Sequence, residues 1–306
     1  MADLAEIKGG GEPFALSAPP TPKKPRVRRG GWSWGPVEGA KLRVGSLGGG
    51  IQSTTLALMA EHGEIEGGPP DFWLYAPVAD AVATREHIRW LASENVLSTP
   101  IIELPDPAVS LRQSIINRVE QNGQRYVSIP AHLDGPKRGM DRRQCTREFK
   151  TERLTAKQRE LLGYGPRERI PPGSCEVWIG YSTDEVIRAG AAFERWIVNR
   201  FPLLEARKSI GGCMEWLKRH GYPIPPRSKC TFCPYREDAE WLWLKENEPE
   251  AFADAVEIDR LIRETPGMRA QSYLHPSRKP LAEVDLSTAE ERGQGMLMVC
   301  DAGCGL

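Results

Sequence analysis

The chain has 306 residues, 40% hydrophobic and 27% charged, with 41 basic residues balanced by 41 acidic ones. This suits one large α/β domain or a medium domain with an appendage, and the zero net charge leaves no global field to draw the chain onto nucleic acid or anionic membrane. No apolar run approaches the roughly 20 residues of a membrane span, and Met1 to Gly11 lacks the basic start and apolar stretch of a secretory signal, so a cytoplasmic protein is expected whose seven cysteines serve metal or redox chemistry in preference to disulfides.

Residues 1–40 are rich in Gly and Pro, carry the basic run Lys23 to Arg29, and are expected to be a disordered, solvated tail, with a nucleic-acid arm as the other reading. Order is expected from Lys41, where Lys41 to Leu47 predicts a strand, followed by three glycines and a helix from Ser53 to His62. Asp71 to Val78 predicts a second strand and Thr84 to Asn95 a second helix. Thr99 to Leu104 and Ser110 to Asn122 repeat the alternation, which argues for a parallel sheet with right-handed crossovers. Further helices are expected over 149–162, 210–220 and 239–263, and a strand over 176–181, with irregular chain from Pro266. The domain reading is a tail (1–40), an α/β domain (41–236) and a helical and irregular C-terminal extension (237–306).

A strand, then Gly48-Gly49-Gly50, then Ser53-Thr54 opening a helix is a phosphate-binding arrangement. Glycine lets the backbone approach a phosphate closely, and the free amides and positive end of the helix hold the anion. No Gly-Lys-Ser/Thr follows, so it is not a Walker loop, and Ser53 occupies the position where a dinucleotide fingerprint needs Gly or Ala. A plain glycine-rich turn is the alternative.

Gly48-Gly49-Gly50-Ile51-Gln52-Ser53 resembles the PP-loop motif Ser-Gly-Gly-x-Asp-Ser, with Gly48 for the first Ser and Gln52 for the Asp. The resemblance implies an α/β fold of the adenine nucleotide alpha hydrolase type, and ATP split at its α–β bond with release of pyrophosphate. It implies a nucleotide site at Gly48, Gly49, Gly50, Gln52, Ser53 and, past the second strand, Asp80. The Asp-to-Gln departure bears on the magnesium ion that would assist the pyrophosphate.

Cys230 and Cys233 form a CxxC turn able to chelate one metal or hold two corners of a cluster. Arg143-Gln144-Cys145-Thr146-Arg147-Glu148-Phe149-Lys150 and the run from Gly221 to Tyr235 resemble segments of phosphoadenosine phosphosulfate (PAPS) reductase-like proteins, a branch of the PP-loop superfamily. The resemblance runs discontinuously from about Lys41 to Tyr235, and it implies a [4Fe–4S] cluster on Cys145, Cys213, Cys230 and Cys233. Zinc on the same ligands and unliganded buried thiols are the alternatives, and Cys213 also suits a buried helix position. Cys175, beside a predicted core strand, is read as structural.

Gly180 to Arg188 resembles the family's Gly-x-Ser-x-Asp-Glu-x-x-Arg segment, making Asp184, Glu185 and Arg188 site candidates; a helix cap at Ser182 or Thr183 explains the same residues. Lys137 to Arg143 is a basic loop suited to a phosphate-rich partner or to solvent. Cys300 and Cys304 lie in a terminal segment faintly similar to the nucleophilic tail of PAPS reductases. The leading expectation is an ATP pyrophosphatase-type, sulfurtransferase-like enzyme that adenylates a nucleotide, tRNA or DNA substrate and takes sulfur from a donor near the cysteines. The alternatives are a PAPS or adenylylsulfate reductase using Cys304 with a thioredoxin-like reductant, and a metal-stabilised nucleic-acid-binding module without catalysis.

Overall fold

The computed structural model describes residues 27–120, 129–135, 138–263, 265 and 270–287. A short strand, β1 (Gly31–Ser33), is followed by β2 (Leu42–Leu47), α1 (Ile51–Glu61), β3 (Phe72–Tyr75), α2 (Val82–Leu91), β4 (Ile101–Glu103) and α3 (Leu111–Glu120). A hairpin of β5 (His132–Asp134) and β6 (Gly139–Met140) leads to a π-helical turn over Thr146–Thr151 that continues into α4 (Glu152–Leu161). Next come β7 (Cys175–Trp178), a 3-10 turn over Thr183–Arg188, β8 (Ile197–Arg200), α5 (Pro202–Glu205) and α6 (Ile210–Arg219). The described chain closes with α7 (Asp238–Asn247), α8 (Pro249–Arg263), β9 (Gln271–Tyr273) and a 3-10 turn at Leu281–Glu283.

Six strands form one sheet in the order β1-β8-β7-β2-β3-β4, every neighbouring pair parallel. Helices cover both faces, as parallel strands require. On one face Leu47, Trp73, Tyr75 and Trp178 meet Leu56, Met59 and Ile88 of the first two helices and Trp216 and Leu217 of α6. On the other, Leu42, Val44, Leu74 and Val177 pack with Leu154 and Leu161 of α4. α1 is buried almost throughout, from Thr54 to Ala60 without a break, which makes it the central helix of its face. Gly45 in β2 has a packing cause: a Cβ there would lie 2.0 Å from the Trp73 ring. The space lets the Trp73 indole cross the strand and meet Trp178 edge to face at 6.1 Å.

The α/β alternation expected from the sequence is the observed one, with three departures. β1 lies inside the stretch expected to be disordered tail, and it pairs with β8, which the periodicity did not reveal. The helix expected over 239–263 is two helices: Pro249 has no amide to donate and pushes Glu248 out of helical geometry, to φ −133° and ψ 65°. The C-terminal segment also shares a core with the body of the chain. Trp241, Leu244, Ile258 and Ile262 pack with Leu111, Ile115, Phe149 and Phe232, and β9 joins β5 and β6 in a second, antiparallel sheet.

Candidate functional site

β2 is the place where the strand order reverses: the chain proceeds from it to β3 on one side and returns as β7 on the other. Crevices at such switch points, outside the carboxyl ends of the strands, are where open α/β sheets bind ligands. The Gly48–Gly50 loop stands at the end of β2, and the Gly180–Arg188 segment at the end of β7.

The loop is tightly folded. The Gly48 amide donates to Ser53 Oγ at 3.2 Å, and that hydroxyl donates to the Gly50 carbonyl at 3.2 Å. Gly49 takes φ +74°, in the left-handed region that favours glycine. The amide of Thr54 bonds to the Gly50 carbonyl, whereas the amides of Gly49, Gly50, Ile51, Gln52 and Ser53 meet no protein acceptor among the described residues. They are the orphan donors of a helix start, and Gly50, as N-cap, has no side chain to satisfy them.

Two other segments close on this loop. A Cβ on Gly180 would lie 3.2 Å from the Ser53 backbone, so the β7 segment rests on the first turn of α1. A Cβ on Gly50 would lie 2.8 Å from Ser228 Oγ, which places the chain ahead of the CxxC turn over the loop. Gln52 spans the gap, its Nε2 donating to Ser182 Oγ at 3.0 Å and to Glu185 at 2.8 Å. The residue replacing the motif's Asp therefore ties the two loops together.

Asp184 is committed elsewhere. It accepts from Ser182 Oγ at 3.0 Å and from the Ile210 amide at 2.6 Å, at the first turn of α6, and the Ile210 bond holds its carboxyl below the usual carboxylate range. A capping role accounts for it. Arg188 pairs with Glu185 and lies over the Tyr181 ring at 4.6 Å, half-exposed beside the Gln52 bridge.

Asp80 is buried just past β3. Its Oδ2 accepts from Tyr75 Oη at 2.8 Å and the Val78 amide at 3.0 Å, while its Oδ1 is buried without a hydrogen-bond partner. Burial and the neighbouring Asp80 charge push the Tyr75 hydroxyl far up. Asp80 also forms an isolated bridge with Cys230, and the Thr231 amide donates to the Ala79 carbonyl at 2.9 Å. Residues 228–231 therefore touch both the glycine loop and the end of β3.

Cys145, Cys230 and Cys233 are brought together: Cys233 acts on both of the others, and Cys145 on Cys230. Burial pushes the Cys230 thiol up to about 12, eased by Lys150, and the thiol donates to the Val78 carbonyl at 2.9 Å. Burial likewise raises Cys145, against the lowering effect of Arg143. Arg236, buried, donates to the carbonyls of Cys230 and Lys229 and fixes the turn.

Cys213 does not join them. It is fully buried on α6, against Thr55 of α1, and packs in the core on that face of the sheet. The expected four-cysteine set is thus three among the described residues. These three thiols also fall outside the single set of His, Cys, Asp or Glu donors whose ligand atoms lie within 4.8 Å of one another among the described residues. A zinc tetrahedron has S–S edges of about 3.8 Å, so at least one pair of these thiols stands wider than a zinc site holds them. Cys175 is buried in β7, its thiol pushed up to about 12 by burial, in keeping with a structural role.

Cys300, Cys304, Lys137 and the run Lys23 to Arg26 lie outside the described residues. Arg138, Arg142 and Arg143 of the basic loop are exposed around the β5–β6 hairpin, and Arg143 lies over the Tyr235 ring at 5.3 Å. Sequence reasoning did not single out Ser228 as part of the loop's surroundings. It also missed the buried Glu176–Arg200 pair that holds the sheet's far side, where Glu176 accepts from the Val37 amide at 2.7 Å and Trp178 Nε1 at 2.6 Å. The chain matches no protein-family model, no curated protein and no solved structure.

Proposed function

We propose that the chain is a PP-loop enzyme of the PAPS reductase-like branch, with an adenine nucleotide alpha hydrolase-type domain that holds ATP by its phosphates at Gly48–Ser53. The observation that carries this is the run of amides from Gly49 to Ser53 with no protein acceptor among the described residues, at the point where the strand order reverses. Unpaired amides at a helix start satisfy an anion directly, and donors fixed in place before reaction are the strongest source of electrostatic stabilisation.

In this reading a substrate oxygen attacks the α-phosphorus. A new P–O bond forms, the bond between the α-phosphorus and its bridging oxygen breaks, and pyrophosphate leaves with the electron pair while the amides carry its charge. Arg188, beside the Gln52 bridge, is the cation on hand for the phosphates. Sulfide-level sulfur from a donor then forms a C–S bond at the activated substrate carbon, the C–O bond breaks and AMP leaves with the electron pair, on the side of residues 228–233, which border both the loop and the thiols. An iron–sulfur cluster there would draw on Cys145, Cys230 and Cys233, with a non-protein ligand at its fourth position. Cys213 has no part in it.

Calorimetry with ATP, then with AMP, tests the binding claim: heat with ATP and at least tenfold weaker binding of AMP is expected, since AMP lacks the β- and γ-phosphates. A folded protein giving no heat with ATP sinks the reading. Gln52 supports a second reading. Its amide is held by Ser182 and Glu185 and supplies no carboxylate for magnesium, which favours a site that binds nucleotide without splitting it. ATP binding with no pyrophosphate release, across nucleotide, tRNA and DNA acceptors, would select that reading over the enzyme.

A further inference from the structure

We propose that His62, Glu64 and His220 form a site for a divalent transition-metal ion of the zinc class, at the opposite end of α1 from the glycine loop. α1 has 11 residues, so about 16 Å of helix separates the two, and the site is independent of the nucleotide reading.

The three side chains each offer one ligand atom, and these atoms lie within 4.8 Å of one another. His220 Nε2 is 3.9 Å from Glu64 Oε1. Ligands bound to zinc at about 2.0–2.1 Å stand about 3.3 Å apart in a tetrahedron, so closing on an ion draws each pair together by at most about 1.5 Å.

The supporting contacts are already made. His220 Nδ1 lies 2.8 Å from the Trp216 carbonyl. A carbonyl only accepts, so Nδ1 carries the hydrogen, and in the neutral ring Nε2 offers its lone pair on the side of Glu64. Both Glu64 oxygens accept from Trp216 Nε1 at 3.0 Å, which fixes the carboxylate. His62 Nε2 lies 2.9 Å from Tyr222 Oη. Trp216 stacks on the His220 ring at 4.0 Å and on Tyr222 at 6.0 Å, so one indole braces the group. Metal-binding histidines and carboxylates are held by this kind of outer partner.

The backbone adds its own field. His62 is the C-cap of α1 and His220 the C-cap of α6, so two negative helix ends meet at the site. Lys218 and Arg219 share the α6 end, whereas α1 has no basic residue in its last turn and contributes the stronger attraction. Two imidazoles and one carboxylate suit zinc and its neighbours over magnesium or calcium, which demand oxygen, and they leave a fourth position for water.

The test is cobalt(II) titration of the full chain followed by visible absorption, with bound zinc counted after dialysis. Cobalt at the trio gives d–d bands without sulfur-to-cobalt charge transfer, which separates it from any metal on the cysteines. His62→Ala/His220→Ala should lose one equivalent of metal. Glu64→Gln, solvent-facing and isosteric, should weaken binding at least tenfold even where the double variant fails to fold. Tyr222→Phe, which removes only an outer partner, should weaken it by about 10–100-fold. Unchanged metal content and affinity in Glu64→Gln, or cobalt spectra showing only thiolate ligation, would overturn the proposal.

Discussion

Replacing Gly50 with alanine probes the closeness of the glycine loop to the segment that precedes the cysteines. Gly50 has φ −96° and ψ 176°, open to any residue, so the backbone resists nothing. The added methyl meets Ser228 Oγ at 2.8 Å and Ser228 Cβ at 3.6 Å. Moving the serine off its rotamer costs about 0.5–1.5 kcal/mol, and alanine is a poorer N-cap than glycine by about 1 kcal/mol. Gly50→Ala should therefore lose about 1.5–2.5 kcal/mol in urea unfolding. In Gly50→Ala/Ser228→Ala the nearest remaining atom of residue 228 is Cβ at 3.6 Å, an ordinary contact. The double variant should regain the rotamer part, a coupling of about 0.5–1.5 kcal/mol. Its ATP affinity should stay at least tenfold below wild type, because the methyl still stands among the free amides. Losses that simply add, or a Gly50→Ala protein as stable as wild type, would refute the contact.

Three further outcomes are expected. Gly45→Ala should destabilise by about 1–3 kcal/mol or more through overpacking, since its methyl lands on the Trp73 ring; urea melts at wild-type stability would exclude that packing. Glu176→Ala should cost about 3–5 kcal/mol in thermal or urea unfolding, because Arg200, fully buried, loses one of its two carboxylates and Trp178 Nε1 and the Val37 amide lose their acceptor; a loss under about 1 kcal/mol would show that the pair is not load-carrying in the folded chain. His87, buried and bonded to Thr54 Oγ1 at 2.9 Å, is pushed by desolvation from 6.5 to about 4. The unfolded chain takes up that proton as pH falls below 6.5 while the fold does not, so stability present above 6.5 drains away toward pH 4. Between pH 7.5 and 4.5, His87→Gln should lose about 2–3 kcal/mol less than wild type, and an identical pH profile for the two would disprove it.

The parallel α/β plan was legible because its strands are apolar runs alternating with periodic helices, and the glycine loop because its spacing is local. β1 and β8 were not. Each is only three or four residues long, and what makes β1 a strand is a partner more than 160 residues away, while β8 is held between that strand and β7. The hydrogen bond from the Ile210 amide to Asp184, and the approach of Ser228 to Gly50, are likewise long-range and leave no local pattern. Two misreadings had local signals. Cys213, Trp216 and Leu217 are spaced i, i+3, i+4 and share the buried face of one helix, which argues for a packed thiol. Pro249 within an otherwise helical run marked the break between α7 and α8.

The register Gly31↔Val198 has a consequence for biogenesis. As the ribosome releases the chain, β2, β3 and β4 can pair early, but the outermost strand waits, without its only neighbour, until synthesis has passed Arg200. Nascent chains stopped before Cys175 carry an unsealed flank on β2, and those stopped between Trp178 and Ile197 carry one on β7; such open edges invite aggregation. Shortening the amino terminus into Gly31–Ser33 would leave the outer edge of β8 open in the finished protein.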